Sequence, residues 1–455
     1  MVPRFGTDGV RGLANSELTP DAAMALGRAA AEVLGATRFV VGRDTRRSGP
    51  MLESALVAGI CSAGVDVSSI GVIPTPAVAW VAADQAIAGA MISASHNPFA
   101  DNGIKIFGVG GSKLADAVET EIGARMVELL EGSAPLQPVG PDVGFASTRS
   151  PTGSYGEGQA AVSGWADSIA DSVEPGNLGS LSVVLDTAHG AAVGWAPEIF
   201  RRLGMTVHTI GDRPDGVNIN EGVGSTYPDA LAEAVVARGA DAGLAFDGDA
   251  DRVIAVDETG NVVDGDRMLA VLAHDYASRG RLANSTVVVT VMTNLGFHRA
   301  MEQAGISVIS TNVGDRYVLQ ALNEYGLSLG GEQSGHVICR DLAGTGDGVL
   351  AGVQFLDAVV RSGQAMSKLA NDVMVTVPQQ LRNVRLPQRQ DSLLAELSEV
   401  ISDIEQEFGN KGRVLVRMSG TEPLLRVMIE HVDADVANQG CQRIVDEAER
   451  RITAS

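Results

Sequence analysis

Arg38-Phe39-Val40-Val41-Gly42 is an apolar run that breaks into a charged loop, Arg43-Asp44-Thr45-Arg46-Arg47, before Ser48-Gly49-Pro50 opens a helical pattern reaching Gly64. A short buried strand, a polar turn at its carboxyl end and a helix together make half of a βαβ unit. Upstream, Thr19-Pro20-Asp21 offers an N-cap, an N1 proline and an early acid to an alanine-rich helix that stops at Gly35. The alternation predicts a parallel sheet, with function at the carboxyl ends of its strands.

The rhythm recurs twice. Leu181 to Leu185 ends in Asp186-Thr187-Ala188-His189-Gly190, and Ser285 to Thr290 leads into Met292-Thr293-Asn294-Leu295-Gly296 before a helix. Three apolar strands with polar, glycine-containing exits suggest three related α/β units, although spacing is irregular and identity slight. Glu131 to Thr152, rich in Gly, Pro and Ser, reads as a linker. Around Val375 the pattern changes. Val373 to Val377 reads as a strand, Ser392 to about Phe408 as a helix, and Arg413 to Val416 and Leu425 to Ile429 as strands of a smaller α+β domain. The expected domains are therefore 1–155, 156–256, 257–370 and 371–455.

A chain of 455 residues is too long for one core, and its 54 glycines suit turn-dense α/β units. A formal charge of −22 argues against nucleic-acid and anionic-membrane partners, which need a basic surface. It leaves a phosphorylated small molecule open, since a few local cations outweigh a distant net charge. Cys61, Cys339 and Cys441 show neither metal-ligand spacing nor a disulfide framework and read as core thiols. With no basic-then-apolar leader and no membrane-length apolar run, a cytoplasmic location is expected.

Four motifs carry chemistry. Asp247-Gly248-Asp249-Ala250-Asp251-Arg252 lies between two apolar runs, and alternation along an extended segment would project the three carboxylates to one side. Crowded carboxylates repel one another unless a cation neutralises them, and oxygen-only donors suit Mg²⁺; the plain alternative is a solvated acidic turn. Ser95-His96-Asn97-Pro98 follows the apolar run Ala88 to Ala94, with Lys105 a short distance on. Taken alone, it reads as a strand end satisfied by its own turn. Small neighbours and the lack of a Gly-x-Ser-x-Gly elbow favour a phosphorylated over an acylated serine. Gly330-Gly331-Glu332-Gln333-Ser334-Gly335-His336 offers several hydrogen-bonding groups for sugar hydroxyls, or is a glycine-rich turn with incidental polar residues. Its His336 can act as acid or base. Arg417-Met418-Ser419-Gly420-Thr421-Glu422-Pro423, with Arg426 nearby, fits a phosphate nest, with a capped strand turn as its competitor.

With these motifs in this order, the chain resembles the α-D-phosphohexomutases over essentially its whole length. Phe5-Gly6-Thr7-Asp8-Gly9-Val10-Arg11-Gly12, Ser93-Ala94 before the serine turn, and Val313-Gly314-Asp315-Arg316-Tyr317 add to the likeness. The opening segment, the Val313 to Tyr317 segment and Gln333 resemble the glucosamine branch; a methionine often stands at the Gln333 position in the phosphomannomutase/phosphoglucomutase branch. Ser93 stands where threonine is commoner.

The resemblance implies three mixed α/β domains and a C-terminal α+β domain of the TATA-box-binding-protein-like type around a central cleft. It makes Ser95 the phosphoserine and has Mg²⁺ held by Asp247, Asp249, Asp251 and a phosphate oxygen on Ser95. Arg252, Glu332 and Ser334 would contact substrate. Arg417, Ser419, Gly420, Thr421 and Arg426 would bind the non-reacting phosphate. Arg11, Lys105 and His336 would serve charge stabilisation and proton transfer. The implied reaction interconverts glucosamine 6-phosphate and glucosamine 1-phosphate through a sugar 1,6-bisphosphate, feeding UDP-N-acetylglucosamine and cell-wall precursors. A homodimer would fit the family pattern. The competing readings are glucose or mannose phosphates as substrates, a phosphatase with Asp247 as nucleophile, and a non-catalytic sugar-phosphate-binding homologue.

Overall fold

A computed structural model describes the chain except for residues 1–4, 7–8, 133–141, 148–156, 388–389, 391, 420–422 and 455. It forms two compact units, one of residues 1–291 and 306–372 and the other of residues 292–305 and 373–455.

The larger unit contains three sheets. The first has seven strands, in the order Phe5–Gly6, Gly9–Leu13, Asp101–Phe107, Ala88–Ile92, Arg38–Arg43, Asp66–Val72 and Ala146–Ser147. The predicted helix spans Pro20–Leu34: Thr19 Oγ1 accepts from Ala22 N at 3.2 Å, and Gly35 ends it in the left-handed region at φ 58°. Part of the expected linker is structured, because Ala146–Ser147 extends this sheet beside Val67 and Ser68; residues 133–141 and 148–152 of it lie outside the described residues. The second sheet runs Val262–Val263, Val253–Asp257, Ala242–Phe246, Ser182–Asp186, Thr206–Ile210, so its outer hairpin continues past the boundary expected at 256. The third runs Ser307–Thr311, Thr286–Thr290, Leu329–Gly331, Val337–Cys339.

The parallel pairing expected from the βαβ rhythm forms in all three sheets, as in Arg38–Arg43 with Asp66–Val72, Ser182–Asp186 with Thr206–Ile210 and Thr286–Thr290 with Ser307–Thr311, but each sheet also carries an antiparallel hairpin. Ala88–Ile92 pairs antiparallel with Asp101–Phe107, Ala242–Phe246 with Val253–Asp257, and Leu329–Gly331 with Val337–Cys339. The reason is chain length. A parallel crossover needs a dozen or more residues, and the segments 93–100, 247–252 and 332–336 are too short to make one. The serine, aspartate and sugar-loop motifs are thus each the turn of a hairpin at the carboxyl end of a parallel strand.

The smaller unit has an antiparallel sheet of Gln379–Arg385, Leu424–His431 and Gly412–Met418. Leu397, Ile404, Phe408, Leu425, Val427, Ile429 and Ile444 form its core. The strand expected at 373–377 does not form. Val373 ends a helix, and Asn294 takes up the backbone of Val377 instead, donating Nδ2 to its carbonyl and accepting its N–H, both at 2.9 Å. With Asn294 Nδ2 also 2.9 Å from Glu430 Oε1, the 292–305 segment packs with this unit rather than with the third sheet. The expected helix from Ser392 divides at Leu397 into Ser392–Glu396 and Ser398–Phe408, with backbone bonds carried across the break.

Cys339 and Cys441 are buried as expected, but Cys61 is only half-buried; all three are free thiols. No helix among the described residues is long and apolar enough to cross a membrane.

Candidate active site

Ser95 sits in the turn after Ala88–Ile92, with a side-chain-bearing residue's uncommon φ of 53° and only 1% exposure. A left-handed serine costs conformational energy and persists only where its surroundings fix it. They do so here. Ser95 N donates to Ser93 Oγ at 2.9 Å, and Ser93 Oγ donates to Asp44 Oδ2 at 2.6 Å. The Ser95 carbonyl accepts from Arg46 Nη2 at 3.0 Å and from Asn220 Nδ2 at 2.9 Å. Arg46 also donates to Asn97 O at 2.9 Å and Asp101 O at 3.0 Å, to Pro98 O, and through Nε to Asp44 Oδ2 at 2.8 Å. One buried guanidinium from the loop after Arg38–Arg43 therefore shapes the whole serine turn.

The serine hydroxyl meets the aspartate loop directly, donating from Oγ to Asp247 Oδ2 at 2.6 Å. Asp247, Asp249 and Asp251 are all buried, with one carboxylate oxygen from each within 4.8 Å of the others. They converge by a mechanism other than the alternation expected. The loop turns, with Ala250 N bonded to Asp247 O at 3.1 Å and Ala250 at φ 57°, and this curvature gathers the carboxylates. Thr75 Oγ1 donates to Asp249 Oδ2 at 2.6 Å, and Lys105 Nζ bridges Asp249 Oδ2 at 2.8 Å and Asp251 Oδ2 at 2.9 Å.

Burial, reinforced by the negative charges of Asp251 and Asp249, holds the Asp247 carboxyl well above the usual carboxylate range. Burial opposes ionisation of Asp251 as well, but Lys105, His336 and Arg252 outweigh it and hold that carboxyl well below the usual range. Asp249 Oδ1 and Asp251 Oδ1 are buried without a hydrogen-bond partner. Buried carboxylate oxygens left unpaired, beside a neighbour forced towards its neutral form, are a donor set that fits a hard divalent cation.

Gly248 sets the clearance between the two loops. A Cβ there would lie 2.5 Å from the Ser95 carbonyl oxygen and 2.9 Å from Asn220 Nδ2. Gly248→Ala is expected to push the serine turn away from the aspartates, costing about 1–3 kcal/mol of stability and lowering turnover at the same time. Unfolding curves and turnover assays on one preparation check both, and an unchanged turnover would show that the approach is not needed.

Arg252 Nη1 lies 3.2 Å from His96 Nδ1, and Ser95 Oγ lies 3.4 Å from the same nitrogen. Burial, then the positive charges of Arg252 and Arg11, bring His96 down to about 4, so it is neutral at pH 7. Arg11 lies in Gly9–Leu13, paired with Gly103 next to the strand that carries Lys105. In the sugar-loop motif, Glu332 Oε1 accepts from Gly314 N at 3.0 Å, Gln333 Nε2 is 3.4 Å from Asp264 Oδ2, Ser334 is exposed and His336 is buried. In the smaller unit Arg417 and Arg426 stand directly opposite across two strands, and burial followed by the charge of Arg426 lowers the Arg417 guanidinium. Two cations placed side by side suit an anion. Ser419 is buried with its N–H on Leu424 O at 2.8 Å, while Gly420 and Thr421 lie outside the described residues.

Models of four phosphoglucomutase/phosphomannomutase domains match the chain: α/β/α domain I over residues 3–131, domain II over 163–260, domain III over 264–377 and the C-terminal domain over 381–447. The chain is 47% identical to a phosphoglucosamine mutase of Exiguobacterium sp., with 97% of this chain and 96% of that protein covered. It is 50% identical to the phosphoglucosamine mutase of Symbiobacterium thermophilum, covering 95% and 96% respectively. The chain belongs to the phosphoglucosamine mutase family. A crystal structure of a phosphoglucomutase/phosphomannomutase family protein from Burkholderia thailandensis shares its fold, with a TM-score of 0.80 at 24% identity over 99% of this chain and 98% of that one.

Within the family motifs, sequence reading located the serine, the aspartates and Lys105, and the structure brings all of them together. It missed Asp44, Arg46, Thr75 and Asn220. The charged loop Arg43 to Arg47 was visible as the exit of a strand, but nothing in its text says which turn its buried arginine grips.

Proposed function

We propose that this chain interconverts glucosamine 6-phosphate and glucosamine 1-phosphate through a phosphoserine at Ser95 and glucosamine 1,6-bisphosphate. The observation that carries the reading is the Ser95 hydroxyl 2.6 Å from Asp247 in a buried triad of carboxylates. The sequence likeness to phosphoglucosamine mutases along nearly the whole chain supports the substrate. One functional loop falls in each of the proposed domains 1–155, 156–256, 257–370 and 371–455, with the end of the second carried to Val263 by its outer hairpin.

In this reading Asp247, Asp249 and Asp251, with an oxygen of the phosphorylated Ser95, hold one Mg²⁺, which when bound neutralises charge on the phosphoryl group. Glu332, Ser334 and Arg252 hold the sugar. Arg417, Ser419, Gly420, Thr421 and Arg426 grip the phosphate that is not reacting. His336 takes the proton of the attacking O1 hydroxyl as the new P–O1 bond forms and the bond from phosphorus to Ser95 Oγ breaks. Lys105 and Arg11 offset negative charge as it moves between the two oxygens. The bisphosphate then presents its other end: the bond from Ser95 Oγ to the 6-phosphorus forms as the P–O6 bond breaks, His336 returns its proton to O6, and glucosamine 1-phosphate leaves with the phosphoserine restored. No net phosphate is consumed.

The testing measurement is kcat/KM for glucosamine 6-phosphate, glucose 1-phosphate and mannose 1-phosphate, each with Mg²⁺ and its matching bisphosphate. A large preference for the glucosamine substrate is expected. A preference for glucose or mannose phosphate would keep the serine chemistry and overturn the substrate. EDTA is expected to abolish turnover and added Mg²⁺ to restore it; turnover indifferent to the chelator would remove the metal assignment.

A further inference from the structure

We propose that Asp315 is a positioning residue for His336, itself held in place by Lys113. The inference rests on the reading of His336 as the proton-transfer group. Asp315 begins the helix Asp315–Tyr325 and is 7% exposed, while His336 is 3% exposed. Asp315 Oδ2 lies 3.2 Å from His336 Nε2, and Lys113 Nζ forms an ion pair with the same oxygen. The other ring nitrogen, Nδ1, is 3.7 Å from Asp251 Oδ1, beyond hydrogen-bond distance. The partner of one imidazole nitrogen fixes the role of the other. Asp315 thus sets its negative charge beside Nε2, while Nδ1 faces the carboxylate cluster.

The ring is packed as well as ion-paired. A Cβ on Gly346 would fall 2.1 Å from Nε2 and 2.4 Å from Cε1, so the backbone at Gly346 walls the imidazole on that side. The next residue along, Arg316, pairs with Glu119 at 2.7 Å and with Asp116. Consecutive residues at the start of one helix are therefore tied to the segment 113–119 of the first sheet's domain, which fixes the position from which Asp315 reaches the ring. A carboxylate in the first turn of a helix is ordinarily explained by the helix dipole alone. Burial of Asp315 between a lysine and a histidine goes beyond what that explanation requires.

The test is a double-mutant cycle reading kcat and KM for Asp315→Asn, His336→Asn and the pair, with Lys113→Met as an independent second variant and unfolding curves on each. Asp315→Asn keeps the side-chain size and is expected to lower kcat roughly 10- to 100-fold with KM changed by less than about twofold. Lys113→Met is expected to lower kcat in the same direction. In the His336→Asn background, Asp315→Asn is expected to cost less than about twofold more, because a residue that acts through another has nothing left to position. Equal losses with and without His336, or an unchanged kcat in Asp315→Asn, would overturn the inference while leaving the function intact. Wild-type turnover in His336→Asn alone would instead overturn the proton-transfer reading, and this inference with it.

Discussion

Ser95→Ala is expected to lower turnover by about 10⁴-fold or more while the chain stays folded. The side chain is buried, and its Oγ donates to Asp247 Oδ2. Alanine loses that hydrogen bond, worth about 1 kcal/mol, and the longer 3.4 Å contact with His96 Nδ1, and it fits the φ of 53° no worse than serine does. Stability and activity should therefore separate. Intact-mass analysis is expected to show one phosphate on a fraction of the native chain and none on the variant. A phosphatase with Asp247 as nucleophile predicts the opposite, because it would keep its turnover without the serine. A non-catalytic sugar-phosphate binder predicts no turnover from the native chain at all.

Arg46→Met is expected to have the largest effect on stability, a loss of about 3–5 kcal/mol read from chemical denaturation. The guanidinium is fully buried and donates to four backbone carbonyls of the serine turn as well as to Asp44. Methionine fills similar volume but leaves the Asp44 carboxylate without its cation and the carbonyls without those donors. Burial already presses Asp44 towards its neutral form ahead of the opposing pull of Arg46, so removing the arginine removes the main charge that opposes that pressure. Arg46→Lys should recover little, since one ammonium cannot reproduce a planar fork reaching five acceptors. A loss below about 1 kcal/mol, typical of an exposed pair, would show that the turn is held by other contacts.

The parts of the site legible in sequence are those written in consecutive residues. The Asp247 to Arg252 run between two apolar strands marked a carboxylate cluster, and the run after Ala88 to Ala94 marked the serine turn that meets it. Helix ends were equally legible, because Thr19 and Gly35 act through bonds and dihedral angles within a few residues of themselves. Errors arose where a distant group intervened. Val373 to Val377 has strand chemistry, yet Asn294 takes the backbone of Val377 and Val375 is left 80% exposed. The three aspartates looked gathered by alternation, whereas the turn at Ala250 gathers them.

Sequence alone determined which polar side chains each turn carries and that the strands end in such turns, since residue type and apolar patterning are local properties. It also contained the loop lengths that force antiparallel hairpins, because a connection of a few residues cannot cross a sheet. Tertiary structure decided which turns meet. Ser95 and Asp247 lie far apart in the chain and are joined through contacts that no local pattern encodes: the fork of Arg46, the amide of Asn220 and the missing side chain at Gly248. A buried polar group must find its partner wherever the packed chain places one, and that position is a property of the whole fold.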